Sequence, residues 1–108
     1  MCYPEVNNKW QEKDMAHLMV HHRVKDFETW KKVFDEHADE RAAAGCTGGE
    51  LFQCSDDPND VVIRLSWDSA KNARAFTASE NTREAMTKGG VIGEPVLVFL
   101  NEPDPVDR

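Results

Sequence analysis

The alternation of hydrophobic and polar residues in the first half of the chain predicts a strand followed by a helix. Residues 16–24 alternate between two faces, and one of these faces carries Leu18, Val20, His22 and Val24. A helix is predicted to begin after an N-cap at Asp26, because hydrophobic residues then recur at helical spacing. It is predicted to end near Ala44, since Gly45 suits a left-handed C-terminal cap.

The second half of the chain predicts a strand, a second strand, a helix and a last strand. The three strands are predicted at residues 46–54, 61–67 and 95–100. The turn-forming residues of the segment 55–60 join the first two strands as an antiparallel hairpin. The helix is predicted to start at a cap on Asp68 or Ser69, to be capped again at Ser79, and to end at Gly89-Gly90.

The predicted order β-α-β-β-α-β is the ferredoxin-like α+β arrangement, a four-stranded antiparallel sheet with helices on one face. The domain is predicted to cover residues 16–102, with an N-terminal arm at 1–15 and a C-terminal tail at 103–108. The second face of the sheet keeps apolar residues, among them Met19 and Val62, and an apolar face needs a cover. A second copy is the simplest cover, so the chain is predicted to form a homodimer.

Charge and composition narrow the classes of partner. The chain has 108 residues, 13 basic and 20 acidic side chains, and a net charge of −7. Such a surface repels phosphate backbones and anionic lipids, so neither a nucleic acid nor a membrane partner is expected. The sequence begins without the basic and apolar pattern of a signal peptide, and its three cysteines form no workable local pair, so a cytoplasmic location is expected.

The histidines and cysteines predict no metal site. His21 and His22 are neighbours in a strand and point to opposite faces. His17 and His21 share a face, but about 13 Å of strand separates them, too far for one ion. None of the cysteines has the spacing of metal ligands.

Several segments together resemble a known superfamily. They are residues 20–30 (VHHRVKDFETW), 33–37 (VFDEH), Arg41, and the turn 57–60 (DPND) before a strand that ends at Trp67. This pattern resembles the dimeric α/β-barrel superfamily, and within it the small stand-alone antibiotic biosynthesis monooxygenases. The resemblance implies that two protomers pack sheet to sheet and that a ligand cleft lies between helices and sheet. Members include cofactor-independent oxygenases, haem-handling enzymes, isomerases, cyclases and proteins without known activity, so the fold does not choose the function.

A candidate site arises if the strand face of His22 meets the helix face that carries His37 and Arg41. Either histidine could act as a general base and Arg41 could stabilise an anion, because the ordinary pKa of histidine lies near neutral pH. The residues predicted to contact a ligand are Trp30, Phe34 and Trp67. In the alternative interpretation, His37 and Arg41 only bind carbonyls at the helix end, and the tryptophans only fill the core.

Three functions remain open at this point. The chain could be an enzyme that abstracts a proton from a small apolar or aromatic molecule, in the manner of a monooxygenase, an isomerase or a cyclase. It could hold such a molecule without turnover, or it could be a structural dimer module. No cofactor is predicted; a haem would need an axial ligand, for which only His22 or His37 is suitable.

Overall fold

The computed structural model describes residues 16–107 and has the predicted ferredoxin-like arrangement, with each predicted helix divided in two. In chain order the elements are β1 (Ala16–Val24), α1 (Phe27–Glu36), α2 (Ala38–Ala44), β2 (Cys46–Cys54), β3 (Asp57–Trp67), α3 (Ala70–Ala78), α4 (Glu80–Gly89) and β4 (Val91–Leu100). The arm predicted at 1–15 lies outside the described residues. Residues 101–107 are exposed and form neither helix nor strand.

The four strands form one antiparallel sheet in the order β2-β3-β1-β4. The central strand β1 pairs on one side with β3, where Val20 lies opposite Ile63, and on the other with β4, where Val20 lies opposite Leu97. Helices cover one face of this sheet, and the core lies between them. Its strand residues are Ala16, Leu18, Val20, Val24, Val61, Ile63, Leu65 and Trp67. The predicted alternation in β1 and β3 is therefore confirmed.

The helix caps follow the sequence prediction. The carboxylate of Asp26 accepts a hydrogen bond from the Thr29 amide at 3.0 Å, and the hydroxyls of Ser69 and Ser79 cap α3 and α4 in the same way. The helical segments α2 and α4 end at Gly45 and at Gly90, both in the left-handed region. None of the helices within residues 16–107 has the length and apolar character needed to cross a bilayer.

The prediction of one continuous helix from Phe27 to Ala44 is wrong, because the helix is interrupted at His37. The backbone of His37 has φ −90° and ψ 7°, outside the helical range. Its amide donates to the carbonyls of both Val33 and Phe34, and the Phe34 carbonyl also accepts from the Arg41 guanidinium at 2.7 Å. A continuous helix would use that carbonyl for the amide four residues on. The side chain of Arg41 thus competes with the helix for its acceptor.

Two strands begin earlier than predicted. Strand β3 starts at Asp57, so the hairpin turn contains only two residues, and strand β4 starts at Val91. Register explains both differences: Asp57 pairs with Cys54 of β2, and Val91 pairs with Val24 of β1. Proline, aspartate and asparagine in residues 57–60, and Gly93 in residues 91–94, disfavour strands locally. The pairing of these residues with neighbouring strands was therefore not visible in the sequence pattern.

Candidate functional site

A cavity of about 70 Å³ lies between the helices and the covered face of the sheet. Its walls are mainly aliphatic and aromatic side chains from β1, β3, β4 and the helices. The polar residues that line it are His22, His37, Arg41, Thr77 and Thr82. All three residues predicted to be catalytic therefore border the same space, because the strand face and the helix face do meet.

His22 lies on the covered face of β1, as the alternation predicted. The residue is only 6% exposed, and its ring meets Trp30 edge to face at 5.4 Å between centroids. Neither ring nitrogen has a hydrogen-bond partner within residues 16–107. Burial, and to a smaller extent the charge of His21, lowers the pKa of His22 to about 4, while Asp60 opposes the change. The imidazole is therefore neutral at pH 7.

His37 stands at the junction of α1 and α2, where the helix is interrupted. Its ring packs against Phe76 at 5.7 Å between centroids. Its Nε2 atom is buried and has no hydrogen-bond partner in the described part of the chain. The junction therefore brings a second unpaired imidazole nitrogen to the cavity.

Arg41 in α2 has two contacts with Phe34. Its Nη1 donates to the Phe34 carbonyl at 2.7 Å, and its guanidinium carbon lies 3.8 Å from the centre of the Phe34 ring. Burial lowers the pKa of Arg41, and the nearby Cys46, Asp35 and Glu40 oppose that change, but an arginine stays charged in proteins. Arg41 thus binds a helix-end carbonyl, as the alternative interpretation expected, and also brings a positive charge to the cavity.

The three aromatic residues predicted to contact a ligand differ in position. Trp30 and Phe34 line the cavity and stack on each other at 4.9 Å between centroids. Trp67 is fully buried in the core beside Phe76, at 5.1 Å, and lies outside the cavity lining. Trp30 and Phe34 therefore form the aromatic wall of the site, and Phe76 separates Trp67 from it.

Sequence reasoning missed the two threonines of the lining. Thr82 is 6% exposed, and its hydroxyl lies 2.8 Å from the hydroxyl of Ser79, the residue that caps α4. The signal was present, because a residue three positions after an N-cap packs beside it on the first turn of a helix. Thr77 enters the lining from the end of α3.

The cavity combines histidine and threonine side chains with the positive charge of Arg41. No carboxylate is among its lining residues, although the chain has a net charge of −7. Such a site can bind an uncharged molecule with a hydroxyl or carbonyl group, or stabilise an anion formed from it. The space of about 70 Å³ is too small for a haem.

A protein-family model and several solved structures match this chain. The model of antibiotic biosynthesis monooxygenases matches residues 15–88. Among solved structures, a candidate antibiotic biosynthesis monooxygenase from Bordetella bronchiseptica is 15% identical with a TM-score of 0.72, and the match covers 87% of this chain and 100% of that one. No curated protein matches the chain.

Two further structures share the fold. SnoaB from Streptomyces nogalater, a cofactor-independent oxygenase, is 18% identical with a TM-score of 0.66, and the match covers 86% of this chain and 99% of that one. A conserved protein from Methanosarcina mazei is 12% identical with a TM-score of 0.67, with 88% and 99% covered. At these identities the structural matches establish the fold alone.

Proposed function

Because the chain belongs to the antibiotic biosynthesis monooxygenase family, as its sequence resemblance predicted, we propose that it binds a small apolar or aromatic molecule in the cavity between helices and sheet. The observation that carries the proposal is His22, which is 6% exposed and has no hydrogen-bond partner for either ring nitrogen among residues 16–107. An unpaired buried polar group costs about 1–3 kcal/mol. A ligand hydroxyl or carbonyl would remove that cost.

The dimensions of the cavity restrict the ligand. Pockets for drug-sized molecules measure about 300–1,000 Å³, whereas this cavity measures about 70 Å³. A single ring or a short chain is the expected size. The walls of Trp30, Phe34 and aliphatic residues favour an apolar body, and the histidines and threonines favour one or two polar groups on it.

The finer proposal is an oxygenase reaction that needs no cofactor. Neutral His22, or His37 as the second candidate, takes a proton from an activated CH₂ group of the ligand, and Arg41 stabilises the anion. Dioxygen adds to the resulting carbanion, and loss of water from the hydroperoxide leaves a carbonyl group. CH₂ and O₂ thus become C=O and H₂O, and the substrate supplies all the electrons. With a pKa of about 4, His22 is a weak base until an anion forms beside it.

Ligand binding can be tested by filling the cavity. Phenol, catechol and acetophenone are suitable single-ring probes in a thermal-shift assay. A probe at ten times its Kd adds about 1.4 kcal/mol to the free energy of unfolding, which raises Tm by about 5–10 °C in a domain of this size. Ala85→Phe places a ring in the cavity and should abolish the shift, whereas Ala75→Phe places the same ring on the exposed face of α3 and should retain it. An unchanged shift in Ala85→Phe would exclude this cavity.

Oxygen uptake separates an enzyme from a binding protein. The assay uses single-ring compounds with an acidic CH₂ group, such as 1,3-cyclohexanedione, and an oxygen electrode. Uptake by the wild type that is lost in His22→Gln supports the oxygenase, and uptake that persists in His22→Gln removes His22 as the base. Binding without uptake of oxygen leaves a binding protein and excludes the oxygenase reaction for that ligand class.

The open face of the sheet is the face that the helices do not cover, and it supports a homodimer. It is also the observation that favours the alternative function, a structural dimer module. Its exposed large hydrophobic residues are Met19, Phe52, Ile92, Val96, Val98 and Leu100. At its centre, Arg64 bonds to Glu50 at 2.6 Å and to Nδ1 of His17 at 2.7 Å, so the charges of Arg64 and Glu50 are paired within the chain. Monomers rarely expose so large an apolar patch, and a second copy of the same face would cover it.

The homodimer can be tested by placing a charge on this face. Val98 is 40% exposed in β4, and Val98→Asp should convert a dimer into a monomer in sedimentation velocity at micromolar concentration. Val106→Asp is the matched control, because Val106 is 89% exposed in the C-terminal tail and should leave the dimer intact. A folded wild-type monomer at this concentration would refute the proposal.

A further inference from the structure

Three strands bring a histidine, a cysteine and an aspartate together on the open face of the sheet, away from the cavity. His21 lies in β1, Cys54 ends β2, and Asp60 lies in β3. One ligand atom from each of the three lies within 4.8 Å of the others. The Nε2 atom of His21 is 2.7 Å from the Oδ1 atom of Asp60.

Strand register explains why these residues meet. Val62 lies opposite His21, and Asp60 lies two residues before it on the same face. Phe52 of β2 also lies opposite Val62, and Cys54 follows two residues later, where the register shifts and Cys54 pairs with Asp57. The spacing of the histidines and cysteines along the chain predicted no metal site, because these three residues approach one another only across the sheet.

We propose that His21, Cys54 and Asp60 bind one divalent transition-metal cation of the zinc type per protomer, with a fourth position open to water or another ligand. Imidazole nitrogen, thiolate sulfur and carboxylate oxygen are the ligands of Zn²⁺ in proteins, whereas Mg²⁺ and Ca²⁺ require oxygen.

The geometry needs only small side-chain movements. Metal–ligand bonds of about 2.0–2.3 Å in a tetrahedral site place neighbouring ligand atoms about 3.3–3.6 Å apart. The His21–Asp60 pair, at 2.7 Å, must separate slightly, and the thiol must approach from at most 4.8 Å. In the single chain the side chains of His21 and Asp60 are 47% and 22% exposed, so both have room to adjust.

The local charge favours a cation. Asp56 and Asp57 follow Cys54 closely in the hairpin, where Asp57 pairs with Arg23 at 3.4 Å, and the chain as a whole has a net charge of −7. A metal ion that binds here displaces the proton of the Cys54 thiol, because the thiolate is the form that binds metals.

Cobalt is a spectroscopic probe of the site. Titration of the full chain with Co²⁺ should produce a near-ultraviolet charge-transfer band, because the thiolate of Cys54 binds the ion, and the band should saturate at one ion per protomer. Cys54→Ser should abolish the band. Cys46→Ser, which removes the thiol at the opposite end of the same strand, and Cys2→Ser should both retain it. Loss of the band in either control, or its persistence in Cys54→Ser, would overturn the proposal.

Zinc competition tests the two other ligands. Zn²⁺ should displace Co²⁺ and raise Tm of the wild type, and His21→Gln and Asp60→Asn should each weaken Zn²⁺ binding by at least about tenfold. Circular dichroism establishes that each variant is folded. Because His21 is exposed, His21→Gln should fold and still tests the site if Asp60→Asn does not fold. Unchanged affinity in His21→Gln, or no Tm change with Zn²⁺ in the wild type, would refute the site.

Discussion

Replacement of His22 by phenylalanine should make the protein more stable at neutral pH and less sensitive to acid. The His22 ring has no hydrogen-bond partner for either nitrogen in the described part of the chain, and it meets Trp30 edge to face at 5.4 Å. Phenylalanine keeps a ring in that position without polar atoms. Removal of an unpaired buried polar group recovers about 1–3 kcal/mol, and the adjoining cavity of about 70 Å³ accommodates the larger ring.

The acid sensitivity follows from the lowered pKa of His22. The ordinary value is 6.5, and in the fold the pKa is about 4, mainly because of burial. Between pH 6.5 and pH 4 the unfolded chain binds more protons than the folded one. The contribution of neutral His22 to the free energy of unfolding is therefore fully present above pH 6.5 and is lost as the pH falls towards 4. This difference between the two pKa values corresponds to about 3 kcal/mol in the free energy of unfolding. About 2 kcal/mol of it is lost between pH 7.5 and pH 5.

Urea unfolding of wild type and His22→Phe at one protein concentration, at pH 7.5, 6 and 5, measures this effect. The free-energy difference should grow in favour of the variant by about 2 kcal/mol from pH 7.5 to pH 5, because all other titrating groups are common to both proteins. Thr82→Val is the control: it alters a buried polar group of the same cavity that does not titrate, so its difference from wild type should not depend on pH. A constant difference for His22→Phe would refute the assignment of a buried, neutral His22.

Three further substitutions test the framework of the site. Gly49→Ala should lower the free energy of unfolding by at least about 2 kcal/mol, because an added Cβ would lie 1.9 Å from a backbone oxygen of β3. An unchanged free energy of unfolding in urea would contradict the pairing of β2 with β3. Arg41→Met removes the hydrogen bond to the Phe34 carbonyl and should cost about 2 kcal/mol in the same assay, whereas a neutral effect would show that this contact is dispensable. Ser79→Ala should cost about 1 kcal/mol and speed hydrogen exchange of the Thr82 amide, and unchanged exchange would argue against the cap.

Local periodicity was enough to predict most of the fold. The alternation in residues 16–24 placed His22 on the same face as Leu18 and Val20, and the structure places all three on the cavity wall. The caps at Asp26 and Ser79 were predicted correctly, and the cap of α3 was narrowed to Asp68 or Ser69, of which the structure uses Ser69. A capping side chain binds an amide only two or three residues away. Information of this kind lies within one turn or one strand, so it is available in the sequence.

Distances between elements were decided only by tertiary structure. The interruption at His37 depends on a carbonyl seven residues before Arg41, and the position of Trp67 behind Phe76 depends on how α3 lies on the sheet. The cavity volume and the meeting of His21, Cys54 and Asp60 depend likewise on register between strands. The sequence alone determined which face each side chain occupies, because the backbone repeat is local. Which faces meet, and how closely, is set by packing among residues far apart in the chain.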